Sequence, residues 1–517
     1  MKKKYILFAA LIAAVGLSSC DMEKYPYSSI EESQYMQTLN DFAMSRIGLY
    51  SNYPGLTTGG YILTAEFQCD DFMASANYSN SYGSQYRWDF QPSDGNIESH
   101  WASYYSTIAR CNYYLDAVNK VNAGGVAGLS DADIATINAY AGEAYFTRAY
   151  CYYQLATLFC SPYDASTADN TYGLPLQLTY NPTSDASQYL GRSSLKETFD
   201  QIQSDLENAA TYVDESKTVN TENQNTVNYI SQDVVKAMRA RVALYIKDYQ
   251  NAINYSTGLI AEGKYALIND ATQFRDMWVH DMGSEVIWQI YMNKDAYGSP
   301  TGVSFWGQHQ PDVTTQSMDF IPSQALLNLY DANDIRFSAY FTPFQFNASS
   351  GASGMIYVFD KYPGNPDLQP EISTNDWYTN KSKPFRIAEQ YLIAAEAYCE
   401  QGDIATGTQY LNQLKANRIA NYTNQNYPSA NELRTAIYEE RRKELTCEGF
   451  RFTDLKRWNM GINRNNDYQD ANLVLQPGNS QTTALVKEAN DYRFVWPIPK
   501  TETDVNPQIK GQQNPGY

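Results

Sequence analysis

The chain has 517 residues, enough for one large core or for two to three ordinary domains, with 43% hydrophobic residues and a net charge of −19. That acidity argues against nucleic acid, whose binding needs a basic stripe against phosphate, and with only 18% charged residues the chain is not a solvating acidic tail. Tyrosine is unusually abundant, with 45 copies beside 8 Trp and 20 Phe; a phenol serves equally in a wet core and on a recognition surface, so composition leaves its use open.

The N-terminus reads as an export signal. "MKKK" is a basic leader, and Tyr5–Leu17 is an apolar run too short to span a bilayer comfortably. "LSSC" follows, with small residues leading directly to Cys20. It resembles the lipobox of a bacterial lipoprotein, which implies that the Cys20 thiol is diacylated and becomes the new N-terminus. Several acyl chains hold a protein to a membrane stably where one is marginal. The tether "DMEKYPYSS" resembles the export signals of outer-surface lipoproteins of Bacteroidetes. We therefore expect a signal peptide at 1–19, a lipidated tether at 20–35 and a body at 36–517, with no later transmembrane run. The remaining cysteines, Cys69, Cys111, Cys151, Cys160, Cys399 and Cys447, form no CxxC pair and suggest no metal site, so mostly free thiols are expected.

Helices dominate the body. "HWASYYSTIARCNYYLDAVNKV" and "AYAGEAYFTRAYCYYQLATLF" come first. "SSLKETFDQIQSDLENAA" opens with a capping box, Ser194 to Glu197, and carries an apolar stripe of Leu195, Phe199, Ile202 and Leu206. Within 231–265, Val235, Met238, Val242, Tyr245 and Tyr249 form one stripe, followed by a second helix. The same pairing recurs where Phe385, Ala388, Leu392, Ala395 and Cys399 precede Gly402 and a helix with Ile404, Leu411 and Leu414 inward. Helix, glycine turn and helix with alanine at the close contacts is a tetratricopeptide-like pattern. "SANELRTAIYEERRKEL" opens with another box, Ser429 to Glu432. The expected fold is mainly α: about four helix pairs in a scaffold spanning 36–265 and 384–457, with minor β. A loop-rich region is expected mainly at 266–383, with the loop 55–98 contributing. Residues 55–98, 161–192, 266–380 and 458–517 read as irregular, yet their aromatic content argues against disorder.

Catalytic constellations are scarce. The chain holds three histidines, His100, His280 and His309, and no HExxH, GxSxG, Walker or GxGxxG motif. "DAD" at 131–133 lacks the glycine and distal glutamate of a calcium loop. A glycosidase needs only two carboxylates, and "CDD" (Cys69–Asp71) and "YDANDIR" (Tyr330–Arg336) are the densest acidic spots near loops. In "EERRKELTCEGFRFTDLKRW", Glu439–Trp458, alternating charges three and four apart predict an ion-pair lattice along a helix.

That stretch resembles the C-terminal signature of the SusD/RagB family. It is matched by Glu440, Arg441, Arg442, Glu444, Leu445, Glu448, Gly449, Arg451, Asp454, Leu455, Arg457 and Trp458, with Thr446 and Cys447 where bulkier apolar residues are usual. "YYSTIARCN" after Trp101, "GEAYFTRAYCYYQLATLF" before "GLPL", "RIAEQYLIAAEAY" and the terminal "NPGY" extend the resemblance along the chain. It implies a helical, non-enzymatic binding lipoprotein that sits on a SusC-like TonB-dependent outer-membrane transporter and delivers glycan to it, or peptide in some members. It implies no cofactor, with calcium an open addition. It also implies that the signature is structural and that ligand sites lie in exposed loops.

Candidate ligand contacts follow. "YSNSYGSQYRW" offers Tyr78, Tyr82, Tyr86, Arg87 and Trp88, with glycine and serines that make a helix poor there and no aliphatic partner in the stripe. Stacking a sugar face on a ring beside amides and an arginine needs this mix, and Trp88 is the ring most expected to be exposed. "YMNKDAYGSPTGVSFWGQHQ" adds Tyr297 and Trp306, with Tyr291 and His309 nearby. "STNDWYTN" adds Trp377, beside Tyr378. Against glycan capture stand a peptide-binding member of the same family, a surface glycoside hydrolase and a pure assembly scaffold.

Overall fold

A computed structural model describes residues 35–219, 226–294, 318–369, 378–465, 467–475 and 486–517. The signal peptide, Cys20, Tyr297, Trp306 and Trp377 lie outside those residues. Helix α1 (Leu39–Tyr50) leads into two short helices, Tyr53–Thr57 and Gly60–Glu66, and after a loop the long α2 (Gly95–Asn122) and α3 (Asp131–Phe159) begin. Ser130 and Asp133 form a reciprocal capping box at the start of α3, which accounts for the "DAD" acidity. Then come α4 (Leu195–Tyr212), α5 (Gln232–Tyr245) and α6 (Tyr249–Glu262). The set closes with α7 (Ala271–Val279), α8 (Ile387–Glu400), α9 (Ile404–Ala416), α10 (Ala430–Glu444) and α11 (Arg451–Arg457).

The expected pairs form one stack. Each of α2 to α5 packs on the next, α6 packs on α8, and α8 packs on α9 and α10. The expected stripes face inward: Leu195, Phe199, Ile202 and Leu206 of α4, and Ala388, Leu392, Ala395 and Cys399 of α8, are all buried. The Ser194 box closes reciprocally, whereas Ser429 only accepts from the Glu432 amide. Helix α3 is buried on nearly every face in its second half, as befits the central element.

Bidentate arginine–carboxylate pairs pin neighbouring layers. Arg46 of α1 meets Glu143 of α3, Arg148 of α3 meets Asp205 of α4 (2.6 and 2.8 Å), and Arg241 of α5 meets Glu389 of α8 (2.7 and 2.8 Å). Among the described residues, the six cysteines are buried free thiols. Among the described residues, no helix is long and apolar enough to cross a membrane.

The segment 55–98, expected to be irregular, contains short helices, including Gly83–Arg87. The small sheets are two-stranded and antiparallel. They are β1 (Phe72–Ala74) with β3 (Phe320–Pro322), β2 (Val286–Trp288) with β6 (Phe385–Arg386), the hairpin of β4 (Phe341–Asn347) and β5 (Ser353–Phe359), and β7 (Ile462–Asn463) with β8 (Val486–Lys487).

The signature segment joins stack to loops. Glu444, at the end of α10, is buried and accepts from Arg386 (2.8 Å), Arg418 (2.9 and 3.0 Å) and Arg336 (3.0 Å). Glu448 accepts from Lys361 (2.7 Å) and Arg386 (3.0 Å). Burial pushes the Glu440 carboxyl upward, but Arg336, Lys443 and Lys415 outweigh it and hold it at about 2. The turn from α10 to α11 passes through left-handed backbone at Cys447 (φ 62°) and Gly449 (φ 86°). The ion-pair lattice expected to fasten this helix to its neighbours is thus a buried hub that draws its arginines from other segments.

Candidate ligand-binding face

The loop layer has an aromatic core of its own, built around Phe67, Phe72, Tyr78, Tyr86, Trp278, Phe320 and Phe359. Phe67 and Phe320 stack at 4.1 Å, and Tyr78 and Tyr86 each lie 5.3 Å from Phe320. The β1–β3 ladder, pairing Ala74 with Phe320, brings these distant segments together.

This placement corrects the expected role of the rings in "YSNSYGSQYRW". Trp88 is 1% exposed; its indole N–H donates to the Gln68 carbonyl (2.7 Å), and its ring meets Phe494 edge-on at 4.7 Å. Tyr86 is equally buried, its hydroxyl accepts from the Ala74 amide (3.0 Å), and Arg464 lies 4.1 Å over its ring. Tyr78 is buried and donates to the Ser81 carbonyl (3.0 Å). Tyr82 is half-buried, tilted against Phe67 at 4.9 Å. Tyr378 also belongs to a buried cluster, with Met73, Ile321 and Phe346. The rings lack aliphatic partners within their own stretch, but Phe67, Phe72 and Phe320 supply aromatic ones from elsewhere in the chain. A search confined to local spacing misses them.

What the stretch turns outward is polar. Ser79, Asn80 and Ser81 are exposed. Ser79 donates through its amide and its hydroxyl (3.0 Å) to Asp319. Asn77 donates to the Asn347 carbonyl (3.0 Å) and accepts from the Ser349 amide (2.7 Å). Arg87, half-buried, donates to Asp89 (2.9 Å) and to Asn80. Residues 77–81, Asp319 and the tip of the β4–β5 hairpin therefore converge on one polar shelf, fixed from beneath by the ring core. Amide, hydroxyl and carboxylate groups of this kind match the donors and acceptors of sugar hydroxyls. Asn77, Asp319 and Ser349 escaped the sequence reading; the alternation of Asn and Ser in 77–81 signals the first, and nothing local signals the others. Tyr291 is 55% exposed and accepts from Asn293 (3.2 Å) at the entrance to residues 295–317.

The acidic spots are occupied. Asp70 pairs with Arg451 (2.8 Å), Asp71 with Arg442 (2.6 Å) and Asp334 with Arg336 (2.7 Å). Burial, then the Asp71 charge, pushes Glu66 up to about 8 against the pull of Arg451, and Glu66 and Asp71 are each 1% exposed. A cavity of about 90 Å³ lies beside Tyr153, Gln154 and Glu448, with room for several waters.

Comparison with known proteins gives consistent relatives. Residues 342–517 match the SusD family, and residues 23–251 match a family described as starch-binding, associating with the outer membrane. SusD-like protein P38 of Formosa agariphila is 24% identical across 99% of this chain and 98% of its own length; SusD-like protein P2 of the same organism is 24% identical across the full length of both. A SusD superfamily structure from Bacteroides thetaiotaomicron is 26% identical with a TM-score of 0.75, covering 92% of this chain and 100% of its own. Surface glycan-binding protein A from Bacteroides fluxus has a TM-score of 0.65 at 20% identity, covering 92% and 99%.

Proposed function

The chain belongs to the SusD/RagB family, and from that membership we propose that it is a surface lipoprotein that captures glycan and passes it to a SusC-like TonB-dependent transporter. Proteins of this family bind rather than catalyse. The observation that carries the reading is the shelf: exposed Ser79, Asn80 and Ser81 anchored through Asp319 and Asn77 on a rigid ring core. Neutral hydrogen-bonding groups held by packing are what recognition of sugar hydroxyls requires.

The domain plan fits this division: 1–19 as signal, 20–35 as a tether lipidated at Cys20, the helical stack as frame, and 266–383 with 55–98 as the binding layer. Tyr297, Trp306 and Trp377 are proposed as its stacking rings. The test is affinity electrophoresis of the lipid-free protein beginning after Cys20 against starch, xylan, mannan, galactan and a peptide digest, followed by calorimetry. Retardation by one glycan, weakened by Asn80→Ala, supports capture. Binding of the digest alone would move the assignment to peptide uptake.

A further inference from the structure

A second groove lies well away from the shelf in sequence, where the start of α2, the segment 175–190 and the C-terminal helix Lys500–Val505 meet. Its volume is about 580 Å³, within the roughly 300–1,000 Å³ usual for small-ligand sites. Trp101 and Tyr105 form the floor, 4.8 Å apart, with Tyr105 fixed by its bond to the Pro175 carbonyl (2.9 Å). Gln177, Tyr189, Glu502 and Asn506 also line it.

Two features define what the groove accepts. No Lys, Arg or His lines it, so it has no counter-charge for an anionic ligand. Three of its side-chain bonds are long: Trp101 Nε1 to Glu502 at 3.4 Å, Asn506 Nδ2 to Glu502 at 3.3 Å, and Asn181 Nδ2 to Gln188 at 3.3 Å, while Asn506 Nδ2 also donates to the Leu190 carbonyl at 3.0 Å. Bonds beyond the usual 2.7–3.2 Å for N–H···O are weak, and hydroxyls of a ligand replace them at little cost. Nearby Leu178, Leu190 and Val505 are exposed, leaving apolar edges for the carbon face of a sugar ring.

We propose that this groove is a second site for neutral oligosaccharide. It takes its ligand class from the capture reading but not its location, and two sites on one chain would hold a polymeric glycan by avidity.

The test uses the lipid-free full body labelled with 5-fluorotryptophan and titrated with malto-, xylo- and mannooligosaccharides. Trp101→Phe assigns the Trp101 resonance. The expected result is a saturable shift of that resonance, weakened at least fivefold by Gln177→Ala or Tyr189→Ala and unchanged by Asn80→Ala. A static Trp101 resonance while calorimetry reports binding overturns the second site and leaves capture at the shelf standing. A shift induced by a lysine-rich peptide and by no oligosaccharide also overturns it. Absence of oligosaccharide binding anywhere overturns both readings.

Discussion

The helical stack and the loop layer are both rich in aromatic residues, and they use them differently. In the stack, helices satisfy their own backbone, so Tyr153, Tyr245 and Phe199 mainly fill space between alanine-lined layers. In the loop layer the backbone is irregular and its carbonyls and amides need partners from side chains. Arg464 donates to the carbonyls of Phe67, Cys69 and Tyr86 (2.7–2.8 Å), the Trp88 N–H caps Gln68, and the Tyr86 hydroxyl caps Ala74. The polar tips of buried rings thus stand in for the missing ladder. Aromatic residues mixed with amides and arginine are therefore as compatible with an irregular core as with a sugar platform, and the orientation of each polar tip decides between them.

The largest way to break this contrast is at the hub that couples the two regions. Glu444→Ala strands Arg336, Arg386 and Arg418 without their shared carboxylate, and removal of one buried partner costs about 3–5 kcal/mol or more. Stack and loop layer should lose stability together, seen as one cooperative thermal transition at lower temperature. Two separated transitions would show that the regions are independent.

Phe320→Ala, at the centre of the loop-layer core, should cost about 3–5 kcal/mol, as for other buried rings. Its effect is expected to be uneven: hydrogen exchange should rise in residues 66–90 while α3 to α6 keep their protection. Uniform loss across the chain would erase the distinction between the two cores.

The hub also predicts a pH dependence. Glu440 sits at about 2 against an ordinary 4.5, and Glu444 is likewise depressed. A depressed carboxyl contributes stability that is present above the unfolded value and lost as pH falls through the folded one. For Glu440 that loss lies between about pH 4.5 and 2. Glu440→Gln should be less stable than the parent in urea at pH 7, and the difference should shrink as pH falls through this window.

Smallest in stability and most specific in function are the shelf variants. Ser79→Ala and Asn80→Ala each remove one or two hydrogen-bonding groups at the surface, about 0.5–1.5 kcal/mol of binding or two- to tenfold in Kd. Folding stability should stay within about 0.5 kcal/mol.

The stack was legible because helix stripes are local: α4, α5, α8 and α9 follow from spacings of three and four residues. The signature was legible as charge pairing, although its partners Arg336, Arg386 and Arg418 come from elsewhere in the chain and left no local pattern. The loop layer was legible as a region, not ring by ring. Trp88 and Tyr86 are buried by Phe494, Phe320 and Arg464, more than 200 residues away in sequence, and no window around 78–88 contains that information. Asp319 is a lone carboxylate until the β1–β3 pairing sets it beside Ser79.

The central claim is that the polar edge of the loop layer, and not its buried rings, meets the ligand. Calorimetry of the lipid-free protein with the glycan that retards it in electrophoresis, comparing Asn80→Ala with Trp88→Phe, tests this most directly. The account predicts weakened binding for Asn80→Ala at unchanged stability, and unchanged binding for Trp88→Phe despite lower stability. Loss of binding in a folded Trp88→Phe protein, with Asn80→Ala indistinguishable from the parent, would contradict it.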